Sequence, residues 1–244
     1  MVSDITKELD NGEVDAWIKL ARTLSHEIMN NIAPITTLSQ VISAYFIRNS
    51  NPIDIKDLDS KTIHNTVKGL KVIEERSLGL MNFVDNYRKF TKLPIPKLTP
   101  INLSILIDNS LVAASTFPDF GTIKLEKSIP ENLMVISDEN LLSLVIINLL
   151  KNASEALILA NTENPNIILK LRQSNTTTRI EIANNGPHIA PEIREQIFIP
   201  FFTTKENGSG VGLSLSKQIM LKMNGDILLS SIKDKHTTFT ILLN

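Results

Sequence analysis

Apolar residues recur at helical spacing along the first part of the chain. From about Asp15 to Arg48 they fall at Trp17, Leu20, Leu24, Ile28, Ile35, Leu38, Ile42 and Tyr45, with no glycine in the stretch. Asn31 fills the one gap, and the steps become 3, 4, 4, 3, 4, 3, 4 and 3. That near-heptad seam predicts one long amphipathic helix. "RNSNPID" then breaks the pattern, and a second seam follows at Ile63, Val67, Leu70, Ile73, Leu80, Val84 and Tyr87. Two long helices joined by a short turn make a hairpin. One hairpin covers only part of its apolar stripe, so pairing with a second copy, a homodimeric four-helix bundle, is expected.

"KLPIPKLTP" (Lys92 to Pro100) carries three prolines in nine residues and cannot continue a helix. It predicts a boundary: a helical hairpin over 1–93, a linker over 94–100 and a second domain over 101–244. In that second domain, helical stretches at about 103–116, 138–160, 191–197 and 211–223 alternate with strand-like runs. These runs are "TIKLEK", "NLMVIS", "NIILKLRQ", "TRIEIAN", "GDILLSS" and "TFTILL". The mixture predicts an α/β sandwich, one layer of helices on one sheet.

Composition narrows the function classes. The 244 residues are 42% apolar and 21% charged, the profile of an ordinary soluble domain. A net charge of −1 gives no electrostatic case for nucleic acid or an anionic membrane. There is no cysteine, which excludes disulfides, thiolate nucleophiles and cysteine-ligated zinc. The first residues are polar and acidic, unlike a signal peptide. The longest apolar run, "LLSLVIINLL", has ten residues, short of the roughly 20 that cross a bilayer. The expectation is a cytoplasmic chain without a membrane segment, or the cytoplasmic portion of a longer membrane-bound protein.

Four windows in the second domain carry candidate chemistry. In "DENLLSLVIINLLKNASEAL", Asn148 and Asn152 interrupt an apolar helix four residues apart, on one face. Buried amides need partners, and two readings are open: bonds to a neighbouring loop, or carbonyl oxygens that help hold a hard cation such as Mg²⁺. "IEIANNGPHI" ends a strand in a turn where Gly186 can take positive φ. "IFIPFFTTK" sets three phenylalanines, which read as core, beside Thr204 and Lys205, a pair that can meet a phosphate. "GSGVGLSLSKQIM" places Gly208, Gly210 and Gly212 before an amphipathic helix. It reads either as a hinge or as backbone N–H groups ready for an anion.

Taken in order, these windows resemble the ATP-binding domain of sensor histidine kinases, part of the ATPase superfamily shared with Hsp90, type II topoisomerases and MutL. The resemblance covers roughly Lys97 to Asn244 and, with the hairpin, nearly the whole chain. It implies that Asn148 and Asn152 serve Mg²⁺ and ATP, and that Asn184-Asn185-Gly186 lies in the adenine loop. Ile197 to Phe202 would anchor a lid, and Gly208, Gly210 and Gly212 would line the triphosphate. "FFTTK" followed by "GSGVGLSLSKQI" is most similar to the nitrogen-regulation branch. Two positions depart from the family pattern: Asn184 stands where an aspartate is usual, and His188 where a glycine is usual.

The hairpin completes the comparison. His26 lies two residues from both Leu24 and Ile28, about 200° around the helix, so it faces away from the seam. His64, His188 and His236 carry no comparable setting. "HEIMN" (His26 to Asn30) is similar to the phosphoacceptor motif of the family. The resemblance makes His26 the phosphoryl acceptor, Glu27 the partner of its second ring nitrogen, and Asn30 an aid to the reverse, phosphatase-type reaction. Pro34 removes a hydrogen bond to Asn30 just beyond and predicts a bend. The expected function is an ATP-dependent histidine autokinase that passes phosphate from His26 to an aspartate of a response-regulator receiver domain. The alternative is a catalytically weak ATP-binding dimer acting as scaffold or phosphatase for that partner. A chaperone or repair ATPase fits less well, because those carry a glutamate about where Asn148 stands.

Overall fold

The first seam forms a single helix, α1 (Ser3–Phe46), in the computed structural model. The structure describes residues 3–48, 51–174, 177–205, 208–233 and 235–244. Side chains before Arg22, and those of Thr23, Glu27, Arg48 and Lys89, are outside the described residues, as are the seam positions Trp17 and Leu20. The chain divides into two units, Met1–Thr91 and Lys92–Asn244.

In the first unit α1 starts well before Asp15 and runs through Gly12, since a lone glycine costs only about 1 kcal/mol in a helix. It also continues through Pro34. The chain turns back through a two-residue strand pair, β1 (Ile47–Arg48) with β2 (Asn51–Pro52). Asp59 then opens α2 (Ser60–Thr91), its carboxylate accepting the Thr62 N–H at 2.6 Å. Gly69 is buried against α1, where a Cβ would stand 2.9 Å from Ile42 Cδ1.

The second seam is split rather than buried as one stripe. Ile73, Leu80 and Tyr87 are half-buried, whereas Ile63, Val67, Leu70 and Val84 stay 45–53% exposed. Helix α2 turns Thr66, Gly69, Val72 and Phe83 inward instead, because a 3.6-residue turn drifts from a heptad pattern within a few turns.

The second unit is an α/β sandwich. Its five-stranded sheet runs β4 (Lys124–Ser128), β6 (Asn166–Gln173), β7 (Thr178–Asn184), β9 (Thr237–Leu243) and β8 (Asp226–Ser231) across. Only the β4–β6 pair is parallel. Strict alternation along β7 and β9 sends Ile180, Ile182, Phe239 and Ile241 into the core. Three helices pack as the second layer: α3 (Leu103–Ala114), α4 (Glu139–Leu159) and α5 (Gly212–Lys222). The middle one, α4, is long and apolar enough to cross a bilayer by composition. Here it is the core helix, with Leu142, Val145, Ile146, Leu149 and Leu150 fully buried.

Two elements differ from the sequence expectation. The end of the proline-rich stretch enters a strand, β3 (Thr99–Asn102), which pairs antiparallel with β5 (Met134–Ser137). The helix expected over 191–197 is two separate 3₁₀ turns, Pro191–Ile193 and Gln196–Phe198. Asp138 fastens the start of α4: its carboxylate accepts the N–H of Leu141 at 3.0 Å and of Lys97 at 2.8 Å. Burial pushes this carboxyl up, but the backbone donors of Leu141, Lys97 and Asn140 outweigh it and hold the pKa below the usual range.

Asp138→Ala is expected to destabilise the second unit by about 1–2 kcal/mol in urea denaturation, the loss of a helix cap. A lowered native pKa means the contribution is complete above the ordinary carboxylate pKa of about 4. It fades as pH falls through the native value, so the wild-type advantage over the variant should shrink in acid.

Candidate functional site

A face of α4 organises the candidate residues of the second unit. Asn148, Asn152 and Glu155 follow at i, i+4 and i+7, one above the other. Asn148 donates from Nδ2 to Ser216 Oγ on α5 at 2.9 Å. Its Oδ1 lies against Gly212, where a Cβ would come within 2.4 Å. Gly212 is therefore glycine for lack of room. It is also the first residue of α5, and no side chain caps that helix end. The leading N–H groups of α5 are left available to an anion.

One turn further along, Asn152 Oδ1 accepts a hydrogen bond from Lys205 Nζ at 3.0 Å. The same ammonium is in close contact with the Glu155 carboxylate, which also has Lys151 at 3.7 Å. The backbone carries Lys205 there by way of Thr203, whose Oγ1 accepts the Lys205 N–H at 3.0 Å. Thr204, the expected phosphate contact, is exposed; Thr203 shapes the turn. Gly208 closes the turn onto Lys205 O and leaves no space for a Cβ beside Thr203 Oγ1.

Gly210 is the only glycine among the described residues with positive φ, at 64°, and it faces Phe201, itself at 65°. The Phe201 N–H donates to Gly210 O at 2.9 Å, so two left-handed residues form a neck. The flanking phenylalanines Phe198 and Phe202 pack against the core, as the sequence suggested. Lys217 lies 5.3 Å from the Phe198 ring centre and pairs with Asp226 at 2.5 Å, tying α5 to β8.

A further turn along α4, Gly186 packs at Ala156 and Leu157. It does not take the positive φ expected of it. The reason for glycine is again space, since a Cβ would stand 2.9 Å from Asn184 Oδ1. Asn184 is buried at the end of β7, with Oδ1 accepting the Gly186 N–H at 3.0 Å and Nδ2 donating to Thr237 O at 3.4 Å. These two bonds orient the amide and leave one lone pair and one N–H unengaged by them. Asn185 instead fastens the turn to β6, accepting the Asn166 N–H at 2.8 Å.

Below Asn184 runs a polar row across the sheet, Thr237 and Ser231, that pattern reading did not single out. Ser231 Oγ accepts the Ile189 N–H at 2.8 Å, and Arg194 donates to Ser231 O at 2.6 Å. The loop after Gly186 is thus held without a second glycine. His188 has no positive φ, is exposed, and borders a cleft with Lys233, Lys235 and His236.

A hard cation fits this donor set. Asn152 Oδ1 already accepts from a cation, the ammonium of Lys205, and amide oxygens suit Mg²⁺. No cluster of three or more histidine, aspartate or glutamate side chains suited to a metal occurs among the described residues. Such an ion would then take most of its ligands from phosphate and water.

In the first unit His26 is exposed on α1, as its position off the seam requires. Asn30 is exposed one turn later, and Met29 between them is 60% exposed. The side chain of Glu27 lies outside the described residues.

Residues 137–244 match the family model described as histidine kinase-, DNA gyrase B-, and HSP90-like ATPase. The chain is similar to the sensory histidine kinase/phosphatase NtrB of Rhodobacter capsulatus, at 28% identity over 93% of the chain and 61% of that protein. It is also similar to the nitrogen regulation protein NtrY of Azorhizobium caulinodans, at 26% identity over 94% of the chain and 29% of that protein. The chain therefore spans between about a third and three fifths of the length of these curated relatives. Among solved structures, the catalytic domain of histidine kinase ThkA aligns at 32% identity with a TM-score of 0.53, over 60% of this chain and 95% of that one. ThkA in complex with the response regulator protein TrrA aligns over 96% of this chain and 63% of that one, at 24% identity and a TM-score of 0.64.

Proposed function

The chain belongs to the sensor histidine kinase family, related to its nitrogen-regulation branch, and from that premise we propose that it is an ATP-dependent histidine autokinase acting through His26. The observation that supports this best is the order of groups along α4. Gly212 and the uncapped start of α5 lie at Asn148, Lys205 lies at Asn152, and Gly186 with Asn184 lies at Ala156. Anion donors, oxygen ligands and a deep polar acceptor thus follow within about 12 Å along the helix, in the sequence phosphate, metal, base.

In this reading residues 1–93 are the dimerisation and phosphotransfer hairpin, with a partner copy covering Ile63, Val67, Leu70 and Val84. Residues 94–100 form the linker, and 101–244 bind nucleotide. A ring nitrogen of neutral His26 attacks the γ-phosphorus; an N–P bond forms, the bond to the β-phosphate oxygen breaks, and ADP leaves. Glu27 takes up the positive charge on the other ring nitrogen, whose proton passes to it or to water. The α5 N–H groups and Lys205 spread the charge of the moving phosphoryl. Mg²⁺ held near Asn148 and Asn152 supplies neutralisation of the phosphate oxygens. The phosphoryl group then goes to an aspartate of a response-regulator receiver, and Asn30 aids its later hydrolysis. The setting is the cytoplasm.

Titration calorimetry with Mg²⁺ and ATP tests the nucleotide site: saturable one-to-one binding is expected, greatly weakened by Asn152→Ala. No heat and no saturation would retire the kinase. One observation favours a second reading. Asn184 lacks the charge of the usual carboxylate and is engaged at both ends, which suits a weakly catalytic ATP-binding scaffold or phosphatase for the same partner. Nucleotide binding without any autophosphorylation would select it.

A further inference from the structure

The contact between Lys205 and α4 has a chemical cost for any nucleotide that enters. Lys205 Nζ donates to Asn152 Oδ1 at 3.0 Å and is in close contact with Glu155, and both side chains of the ion pair are about one third exposed. An ammonium on Asn152 Oδ1 and a divalent cation on the same oxygen repel each other, so the two occupy it in turn. Phosphate oxygens offer Lys205 a replacement for what it gives up. Glu155 has a replacement as well: Lys151, one turn back on α4, is already 3.7 Å away.

Resting on the nucleotide reading above, we infer that Glu155 is a positioning residue that holds Lys205 across Asn152, and that nucleotide binding exchanges the Lys205–Glu155 pair for a Lys205–phosphate pair. Glu155 touches neither nucleotide nor metal in this scheme. It sets affinity by holding the lysine, a tethered cation on the oxygen that the metal would take. Mg²⁺ without nucleotide then has little access to Asn152, which makes the metal arrive together with the phosphates.

A double-mutant cycle on the full chain separates exchange from its competitors, with the dissociation constant for Mg²⁺ and the non-hydrolysable analogue AMPPNP as readout. Glu155→Gln is expected to tighten binding about three- to fivefold when Lys205 is present, the scale of a partly exposed ion pair. In the Lys205→Met background the same change is expected to shift binding less than about twofold. Equal tightening in both backgrounds would mean Glu155 only repels phosphate and would overturn the exchange. Weaker binding on Glu155→Gln with Lys205 present would mean the pair persists in the loaded site, and would overturn it too. No saturable binding in any of the four proteins would overturn the nucleotide reading itself, and this inference with it. Circular dichroism and urea midpoints of the four proteins guard against misfolding as a cause of altered affinity.

Discussion

His26→Gln is expected to reduce transfer of labelled γ-phosphate from ATP into the chain to background, while nucleotide affinity stays within about twofold, because the substitution alters no nucleotide-binding group. The label in the wild-type chain should be acid-labile and alkali-stable, the signature of phosphorus on an imidazole nitrogen. The effect should be complete rather than partial because the substitution removes the proposed nucleophile itself. Glutamine keeps length and polarity and fits a helix well, so α1 is retained. Exposure of His26 is what makes the prediction sharp: no packing is lost with the ring. The other histidines, His64, His188 and His236, are exposed as well, and their glutamine variants should label normally. Label persisting in His26→Gln would move the acceptor elsewhere and undo the proposed chemistry. Mixing His26→Gln with Asn152→Ala then tells whether transfer crosses between protomers: label returns only if it does.

The second large effect is expected at Gly210. Alanine there must hold φ near 64°, at a cost on the order of 1 kcal/mol for a residue with a Cβ. That is the smaller part. The added Cβ would stand 2.4 Å from the carbonyl carbon of Phe201 and 2.6 Å from its oxygen, and backbone atoms cannot swing aside as a side-chain tip can. The neck must open, and with it the approach to the start of α5. Nucleotide affinity is expected to fall by about ten- to a hundredfold, equivalent to roughly 1.4–2.8 kcal/mol. Gly121→Ala is the control. Nothing stands within 4 Å of its Cβ and its φ is not positive. That substitution should leave affinity unchanged and stabilise slightly, by reducing the freedom of the unfolded chain. Calorimetry and thermal melts of the two variants side by side check both statements. Equal affinity for Gly210→Ala and wild type would show that the neck can open without disturbing the site.

The parts of the molecule that were legible in the sequence are those whose signal is local. Alternation along Thr178–Asn184 and Thr237–Leu243 depends only on which side of a strand faces the core. The apolar run of α4 announces a buried helix, and the asparagines within it announce a polar neighbour. What stayed hidden depends on residues far apart in the chain. Thr99–Asn102 reads as the tail of a proline-rich stretch because its partner strand lies more than thirty residues away, at Met134–Ser137. Pro100 is tolerated in a two-stranded edge, where a missing N–H need not break a ladder. The 3₁₀ turns at Pro191–Ile193 and Gln196–Phe198 replace a helix because Arg194, midway, donates to Ile189 O and Ser231 O and holds the segment to the sheet.

The site was legible to the same degree. Asn148, Asn152 and Gly212 could be picked out by spacing, and they do share one face and one end of a helix pair. The reason for each glycine could not. Gly186 and Gly212 are small because a neighbouring amide oxygen fills the space, and Gly210 because the Phe201 backbone does so, with a positive φ besides. Glu155 left no mark at all, since a glutamate three residues after an asparagine on a helix is unremarkable until Lys205 arrives from fifty residues away.

The hydrogen bond between Phe201 and Gly210 also bears on how such a chain can diversify. Its two ends are joined at 2.9 Å, and between them Phe202 packs against the core and Lys205 reaches α4. Doubling the length of such a ring costs only about 0.6 kcal/mol of closure entropy. The ring can therefore lengthen, under an engineer's hand, at little entropic cost to the scaffold that presents it, provided that Phe202 and Lys205 keep their places.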